Sequence, residues 1–532
     1  MSIASRAILR LGGVSVALSL GAVASAGDDP AEVGLWLPPQ PWEVIAIHAA
    51  VLPTGEVLHY SYPMDDSGSR ARLWNPTTGE FTPVDLSTDI FCGGLSHLPN
   101  GSLLMTGGNN HNQLCPQVPQ GRRVTHYFNP FAGTWTVGGL MADGRWYPAN
   151  LALGDGRTVI LSGINLTCGL NPMMEVFTPG VGIDIIPEGM RFLALYPRMH
   201  LLTSGKLVHV GQEDITYTFD FEALQWEFVD FSNFGWRGEG TSVLIPGRTD
   251  QVLAIGGDDF VNGVTNTCEI IDLSEANPQW RFTGSLNVAR ARGNAVILPD
   301  RKVVLIGGGQ DGPYGHPINF AERFDPETET WGLLPAQGFS RMYHSTAVLL
   351  PDGRVLSAGQ DEGESAFWGE IYVPWYLFRG PRPQIAAVPG RIGYDQPFSL
   401  ATPEAGEITS VALIAPASTT HSVNSSQRYL GLEFEVTGDA SLRLVGPLNG
   451  NHAPPGYYML FILNGNDVPS VAPFVHVGPE LLGDVDGNGI VGSGDLLILL
   501  ATWGPCAGCQ ADLNGDGNVS AADLLILLVN WG

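Results

Sequence analysis

Apolar and polar positions along this chain follow a pattern that repeats seven times. Each copy has an apolar strand, a turn rich in Pro, Asp and Gly, a second apolar strand and a stop of small residues, as in RWYPANLALGDGRTVILSG. The copies begin near His48, Cys92, Tyr147, Tyr196, Gly240, Arg292 and Tyr343. Their starts lie 44 to 55 residues apart, which is the period of four-stranded propeller blades. The pattern predicts an all-β fold with a seven-bladed β-propeller over residues 35–378.

A second motif lies between these copies and reads as strand, turn and strand, as in YFNPFAGTW and RFDPETETW. Its tryptophans recur at one repeat position, which favours packing between blades over a role in a site. They are Trp135, Trp226 and Trp331.

Residues 380–478 have a different pattern, with short alternating strands such as ITSVALIAP and YYMLFILNG. This spacing is typical of an immunoglobulin-like β-sandwich. His421 lies in the polar stretch PASTTHSVNSSQ between two of these strands. We therefore expect it at the tip of a hairpin that projects away from its own sandwich.

The segment 481–532 contains a duplication, DVDGNGIVGSGDLLILL and DLNGDGNVSAADLLILL. Each copy fits a twelve-residue calcium loop with glycine at position 6, followed by an amphipathic helix. The alternative, an acidic and solvated tail, does not explain the repeated LLILL helices. We expect Trp503 and Trp531 to pack with these helices. The segment is predicted to be a small α-helical calcium-binding module. Its predicted ligands are Asp484, Asp486, Asn488 and Asp495 in the first loop, and Asp512, Asn514, Asp516 and Asp523 in the second.

The net charge restricts the partners of the protein, and its first residues indicate export. The formal net charge of -27 makes nucleic acid and anionic membrane surfaces poor partners. Residues 1–26 are typical of a secretory signal, with Arg6 and Arg10 before a short apolar run and an Ala24-Ser25-Ala26 cleavage site. No other apolar run approaches membrane length. We expect a secreted protein that does not span a membrane.

Export places the six cysteines in an oxidising compartment, where disulfides persist. Cys506 with Cys509, and Cys115 with Cys168, are the candidate pairs, although sequence alone does not prove connectivity. Cys268 has the alternation of a buried strand residue. These assignments leave Cys92 for another role.

Cys92, Tyr147 and the pair Tyr343-His344 begin three copies of the repeat. In a radial repeat, equivalent positions lie at equal height and equal distance from the axis. A thiol, two phenols and an imidazole are therefore expected to converge near the central channel, as a metal or redox site. Taken singly, each could be ordinary packing. Other histidines near repeat starts, such as His48, have no matching partner and receive no role.

The propeller and sandwich, residues 35–478, resemble the copper radical oxidases, the family of glyoxal oxidase and galactose oxidase. Cys92 in FCGG and Tyr147 in RWYP match the cysteine and tyrosine that this family joins by a thioether. Tyr343 and His344 in RMYHSTAV match its axial phenol and one imidazole, and His421 in TTHSVNSSQ matches the second imidazole. The resemblance implies a kelch-like propeller, an early-set sandwich, and copper held by Tyr147, Tyr343, His344 and His421.

The resemblance also implies the chemistry. Two imidazoles and two phenols suit tetragonal Cu(II). Tyr343 would accept the substrate proton, and a radical on the Cys92–Tyr147 thioether would abstract hydrogen from the carbinol carbon. O₂ would then be reduced to H₂O₂. The candidate substrates are small aldehydes, primary alcohols and carbohydrate hydroxyls, and the sequence leaves the choice open.

Two departures favour the glyoxal oxidase side of the family. Galactose oxidases carry a tryptophan, stacked over the thioether, at the position of Asn165 here. The separate N-terminal sugar-binding domain of galactose oxidase has no counterpart either. The C-terminal module resembles a dockerin, which implies a cohesin-like partner, although simple surface attachment is an alternative.

Two other function classes remain open. A non-catalytic kelch-type propeller could bind glycan or protein, tethered through its dockerin, because fold alone does not give function. A propeller glycosidase needs a pair of carboxylates in the channel. We identify no acidic residue at the repeat position of Cys92 and Tyr147, which disfavours that class.

Overall fold

The computed structural model describes residues 29–63, 68–110, 120–259, 261–360, 363–479, 482–485, 491–506 and 508–531. The predicted signal segment, residues 1–26, lies outside the described residues. In the described part, no helix is long and apolar enough to cross a bilayer.

Seven antiparallel sheets follow one another through the described part of residues 35–373, and we name them blades 1 to 7 in the order of their first strands. Their first strands are His48–Val51, Gly94–His97, Ala149–Ala152, Met199–Leu201, Thr241–Leu244, Asn294–Ile297 and Ser345–Leu349. Their second strands are Val57–Tyr60, Leu103–Thr106, Thr158–Leu161, Leu207–His209, Gln251–Ile255, Val303–Ile306 and Val355–Gly359. Their third strands are Ala71–Trp74, Arg122–Asn129, Met174–Thr178, Ile215–Asp220, Cys268–Asp272, Phe320–Asp325 and Trp368–Val373. Their fourth strands are Phe81–Pro83, Thr134–Arg145, Gly182–Ile186, Gln225–Phe231, Arg281–Phe282, Thr330–Ala336 and, for blade 7, Leu35–Trp36.

Each first strand contacts the first strand of at least one neighbouring blade, which places it on the inner side of its own blade. These strands are buried almost throughout, and they carry buried polar residues such as Asn150 and Asn294 beside their apolar ones. The turn after each first strand depends on residues such as Gly156, whose φ of 90° favours glycine. The early strand Leu35–Trp36 pairs with Trp368–Val373 and so joins the two ends of the propeller.

The recurring tryptophans pack between blades, as the repeat predicts. Trp135 of blade 2 donates from Nε1 to the carbonyl oxygen of Val84, which follows blade 1. Trp331 of blade 6 packs into a cluster of buried side chains that includes residues of blade 5.

The sandwich consists of two sheets packed face to face. The larger contains, in spatial order, Arg391–Ile392, Phe474–Val477, Gly456–Asn464, Ile408–Ile414 and Tyr429–Leu432. The smaller contains Pro397–Ala401, Ser441–Val445 and Phe434–Gly438. A second buried cluster joins Met459 and Phe461 of the larger sheet to blades 6 and 7, so the sandwich packs directly on the propeller.

Shorter elements complete the described chain. The 3₁₀ turns are Pro187–Gly189, Glu364–Phe367, Trp375–Phe378 and Ala405–Glu407. The remaining short elements near the propeller are the helix Pro30–Val33, the strand Gln40–Pro41, and the hairpins Asp258–Asp259 with Gly263–Val264 and Gly309–Asp311 with Gly315–Pro317.

The C-terminal module contains the two predicted helices, Ser493–Ala501 and Ala521–Val529, which contact each other. The strands Gly504–Pro505 and Asn518–Val519 pair between them. Trp503 and Trp531 are 49% and 44% exposed, so the expectation that they pack with the helices is wrong. The buried residues are instead Leu499, Leu527 and small aliphatic side chains of the loops.

The described cysteines follow the predicted pattern. Cys506 and Cys509 form a disulfide. Cys168 is also disulfide-bonded, whereas its predicted partner, Cys115, lies outside the described residues. Among the described cysteines, Cys92 and Cys268 are buried and form no disulfide.

Candidate metal and redox centre

The loops that lead into the first strands share an unfavourable backbone conformation. A non-glycine residue with positive φ immediately or shortly precedes the first strand of blades 2 to 7. These residues are Cys92 (57°), Tyr147 (66°), Tyr196 (49°), Glu239 (50°), Arg292 (66°) and His344 (65°). Such conformations cost free energy and cluster at functional sites. They persist here because successive loops bond to each other through the backbone: the N–H of Tyr147 donates to the carbonyl of Cys92, and the N–H of Tyr196 to that of Tyr147, both at 2.9 Å.

A buried arginine anchors several of these loops. Arg145, two residues before Tyr147, forms an ion pair of 2.7 Å with Glu175 on the third strand of blade 3. The Glu175 carboxylate also accepts the backbone N–H of Ala142, so the loop is fixed at two points. Three other buried arginine–glutamate ion pairs repeat this arrangement, and in each the arginine lies two residues before the loop residue. They are Arg237–Glu269 before Glu239, Arg290–Glu322 before Arg292, and Arg341–Glu370 before Tyr343.

His421 reaches this region from the sandwich, as the sequence predicts. The strand Ser418–Thr420 pairs with the innermost strand of blade 1, with Thr420 opposite His48. The Thr420 hydroxyl donates to the carbonyl oxygen of Ile47 at 2.9 Å, so it accepts the Nδ1–H of His421 at 2.6 Å. This bond leaves the lone pair of His421 on Nε2, which lies 3.6 Å from the sulfur of Cys92.

The structure brings all five predicted site residues together. The phenol oxygens of Tyr147 and Tyr343 are in hydrogen-bonding contact, and the Tyr147 oxygen lies 3.5 Å from Nε2 of His344. Tyr343 stacks on His344 with ring centroids 3.9 Å apart, and the two imidazole rings lie 4.4 Å apart. One donor atom from each of Cys92, His344 and His421 fits within 4.8 Å of the other two.

Burial sets the protonation of this cluster. Burial lowers the pKa of His421 well below its ordinary value, and the neighbouring His344 lowers it further, so His421 is neutral and can act as a ligand. Burial likewise raises the pKa of the Tyr147 phenol, with Cys92 and Tyr343 contributing. A proton on Tyr147 is therefore retained unless a cation replaces it.

Three residues near the cluster had no assigned role. His48 accepts the backbone N–H of Cys92 on Nε2 at 3.0 Å, so this histidine does have a partner at the centre. The Trp146 ring stacks on that of Tyr147, with centroids 3.8 Å apart and planes inclined by 13°. Asn165 instead holds a turn by accepting the N–H of Thr167. An indole therefore does cover Tyr147, but it comes from the adjacent residue.

Glu239 and Arg292 correct a sequence interpretation. The structure places an acidic residue, Glu239, at the repeat position of Cys92 and Tyr147, where we had identified none. Glu239 and Arg292 form an ion pair at the edge of the centre. They line a cavity of about 160 Å³ together with Tyr147, Tyr343 and both candidate imidazoles. The repeated spacing of Arg237 to Glu239, equal to that of Arg145 to Tyr147, was the signal that could have identified this position.

In the second predicted calcium loop, the carboxylates at both ends accept backbone N–H groups. The Asp512 carboxylate accepts the N–H groups of Asp516 and Gly517, at 3.1 and 2.8 Å. Asp523 accepts from Leu513 and caps its helix by accepting from Ser520.

The first predicted loop is described only in part, because Asp486 and Asn488 lie outside the described residues. Asp495 caps its helix by accepting the N–H of Gly492 at 2.7 Å. Asp484 forms an ion pair of 2.6 Å with Arg391 of the sandwich.

Comparison with known proteins identifies the family. A sequence profile described as "Glyoxal oxidase N-terminus" matches residues 61–372, which is more than half of the chain. The chain belongs to the glyoxal oxidase family. Within it, the chain is similar to "Aldehyde oxidase GLOX" of Vitis pseudoreticulata, with 30% identity over 76% of this chain and 84% of that protein. It is also similar to the galactose oxidase of Gibberella zeae, with 27% identity over 84% of this chain and 71% of that protein.

Further matches cover the remaining modules and the fold. Residues 382–477 match the profile "Galactose oxidase-like, Early set domain", and residues 482–529 match "Dockerin type I domain". A solved structure titled as a novel fungal alcohol oxidase of the AA5 family, in complex with copper, superposes with a TM-score of 0.75. It has 23% identity and covers 84% of this chain and all of that one. The predicted family, all-β fold class and enzyme class are thereby confirmed.

Proposed function

We propose that this member of the glyoxal oxidase family is a secreted copper radical oxidase that oxidises small aldehydes or primary alcohols with O₂, giving H₂O₂. The observation that carries the proposal is the convergence of Cys92, Tyr147, Tyr343, His344 and His421. The chain order of these residues and the relatives named aldehyde oxidase and galactose oxidase support it. Substrate oxidation then balances as RCH₂OH + O₂ giving RCHO + H₂O₂.

The donor set fits copper. Two imidazole nitrogens and two phenol oxygens are the donors that tetragonal Cu(II) prefers. The Thr420 hydroxyl holds the Nδ1–H of His421, as outer partners of metal-bound histidines generally do. In our proposal Tyr147, Tyr343, His344 and His421 are the ligands. When bound, copper would accept one of the two electrons that the substrate gives up, and the protein would accept the other.

Each side chain has a defined task in this proposal. Cys92 and Tyr147 form a thioether by losing the S–H and one ring C–H hydrogen, which O₂ accepts to give H₂O₂. The linked ring of Tyr147 holds the radical and takes a hydrogen atom from the substrate carbon. Tyr343 takes the hydroxyl proton of the substrate, and its phenol oxygen is in hydrogen-bonding contact with that of Tyr147, so the proton acceptor and the radical lie side by side. Trp146, stacked on Tyr147, excludes water from one face of that ring.

The C-terminal module has a separate task. Carboxylate and amide oxygens at loop spacing are the ligands that calcium prefers. Together with the dockerin profile, they support two calcium sites and docking onto a cohesin-like partner. Secretion is supported by the signal-like pattern of residues 1–26 and by the disulfide of Cys506 with Cys509.

Peroxide formation tests the oxidase directly. Copper-loaded protein is supplied with aldehydes and primary alcohols, and H₂O₂ is measured with a coupled peroxidase. The copper-free protein and His452→Ala, a substitution in the sandwich outside the cluster, are the controls. Turnover that needs copper and survives His452→Ala supports the proposal. Absence of peroxide with every substrate favours the alternative, a non-catalytic propeller that binds glycan or protein.

A further inference from the structure

A groove of about 770 Å³ lies between the propeller and the sandwich, and it shares no lining residue with the cavity of the five-residue centre. One side of the groove is the sandwich strand Tyr429–Leu432, continued by Glu433. The other side consists of the turns that follow the first strands of blades 5 and 6, including Gly247 and Arg301. The oxidase proposal gives this groove no task.

The strand Tyr429–Leu432 is an open edge of the larger sheet. It pairs with Ile408–Ile414 on one side and with no described strand on the other. The opposite edge of the same sheet, Arg391–Ile392, has only two residues, and the charge of Arg391 is paired with Asp484. Short length and charge are the usual protection of an exposed edge. The edge at Tyr429–Leu432 is longer, and its four residues carry no charge.

Backbone groups of this strand line the groove. The N–H of Ala415 donates to the carbonyl of Arg428 at 2.9 Å, and the register continues from this pair along both strands. Because bonded and non-bonded pairs alternate in an antiparallel ladder, Tyr429 and Gly431 direct their N–H and C=O groups away from the neighbouring strand. Gly431 is exposed and lines the groove through its backbone, since it has no side chain. In the described part of the chain, no protein group bonds to the N–H or C=O of Gly431.

The fold itself does not require glycine at position 431. The φ of Gly431 lies outside the left-handed region, and a Cβ atom there would meet only the ring of Tyr429, at an ordinary 3.6 Å. A glycine inside a strand weakens the strand and often marks a place where a ligand or another backbone approaches closely. Close approach from the groove is therefore the physical reason that remains for Gly431.

The shape of the groove restricts what it accepts. N–H and C=O groups that recur at every second residue complement an extended peptide, which adds to a sheet edge as a further strand. The turns of blades 5 and 6 stand on the far side of the groove. The space therefore admits a single strand and not the edge of a second sandwich.

The charge of the groove restricts its occupant further. The lining carries three arginines, Arg248, Arg301 and Arg428, against the carboxylates of Asp250 and Glu433. This excess of positive charge contrasts with the formal net charge of -27 of the whole chain. Arg301 is the exposed one of the three and forms no ion pair among the described residues, which favours an acidic side chain opposite it.

We propose that this groove binds an extended acidic segment of a partner protein, which pairs with the outer edge of Tyr429–Leu432. The edge from Tyr429 to Glu433 is about 17 Å long. The backbone of the bound segment exchanges hydrogen bonds with Gly431, and one of its carboxylates pairs with Arg301. Binding here leaves the channel of the propeller untouched, so the interaction is a second function beside the proposed oxidation.

The test selects short linear peptides from a phage-displayed library on the full-length protein, with Gly431→Pro as the counter-selected variant. Proline removes the outward N–H and blocks the edge, while the ladder with Ile408–Ile414 keeps its bonds because it does not use that N–H. Gly431→Ala is the matched control, since it keeps the N–H and its Cβ has room. The Kd of a selected peptide, measured by fluorescence anisotropy, should be equal in the wild-type protein and Gly431→Ala, and should rise at least ~10-fold in Gly431→Pro.

Arg301→Gln tests the acidic side chain of the peptide without touching the sheet, so it decides the question independently of the stability of Gly431→Pro. It should raise the Kd by about 2- to 5-fold and make binding less sensitive to salt, as expected for one exposed ion pair. Arg443→Gln, at an exposed arginine of the smaller sheet, should leave the Kd unchanged.

Three results would overturn the proposal. One is the failure to select any peptide that prefers the wild-type protein to Gly431→Pro. Another is an equal loss of affinity in Gly431→Ala, or no change in Arg301→Gln. The third is soluble xylan that retards the wild-type protein but not Gly431→Pro in a native gel, which would assign the groove to a glycan. None of these measurements depends on copper or peroxide, so their outcome is distinct from that of the oxidase test.

Discussion

The centre at the propeller channel and the second calcium loop gather their side chains in opposite ways. Cys92 and His421 lie 329 residues apart in the chain, yet their sulfur and nitrogen atoms are 3.6 Å apart. Asp512 and Asp523 belong to one twelve-residue loop whose own backbone N–H groups bond to the carboxylates. The first arrangement exists only when the propeller and sandwich are folded, whereas the second is encoded within one short segment. The propeller centre should therefore be preformed, and the calcium module should depend on its ion.

A covalent test of the preformed centre has the largest expected effect. Copper and O₂ should convert Cys92 and Tyr147 into one cross-linked peptide, two hydrogens lighter than the sum of its parts. Peptide mapping by mass spectrometry should find nearly complete linkage in the wild-type protein and none in Cys92→Ser. Cys268→Ser, which alters the other buried cysteine without a disulfide, should leave the linkage intact. An unmodified Cys92 thiol after copper loading would contradict the proposed cofactor.

Loss of the loop anchor should weaken the scaffold of that centre. Glu175→Ala leaves Arg145 buried without its counterion, which should lower the free energy of unfolding by about 3–5 kcal/mol. Urea unfolding measures this change. Glu227→Ala, which removes a surface ion pair with Lys206, should leave the midpoint nearly unchanged. Similar effects of the two substitutions would show that the buried pair does not anchor the Tyr147 loop.

Removal of calcium should affect the tail alone. Without the ion, the loop carboxylates repel one another, so hydrogen exchange at the amides of 493–501 and 521–529 should accelerate. Because chelators also bind copper, Asp512→Ala provides a second arm in which no chelator is needed. Exchange in the propeller and the rate of peroxide formation should stay unchanged in both arms. Parallel loss of peroxide formation in Asp512→Ala would show that the two regions are coupled.

The sequence was informative where a side chain follows a repeat or a local spacing. The starts of the repeats and the family motifs identified Cys92, Tyr147, Tyr343, His344 and His421, and the spacing of the duplication identified the loop of Asp512. In each copy of a repeat, the glycines and strand residues recur at the same intervals, so the position of a side chain can be inferred without knowing its packing.

The rest depended on contacts that one sequence does not contain. Placing the start of blade 5 at Gly240, one residue late, hid Glu239 and its pairing with Arg292. His48 accepts a hydrogen bond from the backbone N–H of Cys92. Because the donor is a backbone group, the residue types at these two positions do not indicate the contact. Trp146 stacks on its chain neighbour Tyr147, whose φ is positive, and neither the backbone conformation nor the ring contact is written in the residue types.

His421→Ala tests the central claim most directly, because this ligand alone comes from outside the propeller. The substitution removes one proposed ligand at a hairpin tip, so the blades should stay folded while copper binds more weakly and its Cu(II) spectrum changes. Peroxide formation should fall by more than the ~10- to 100-fold that substitutions of outer partners of a metal ligand cause. His452→Ala should keep both copper and activity. If His421→Ala binds copper and turns over like the wild-type protein, the proposed assembly of the centre from propeller and sandwich is wrong.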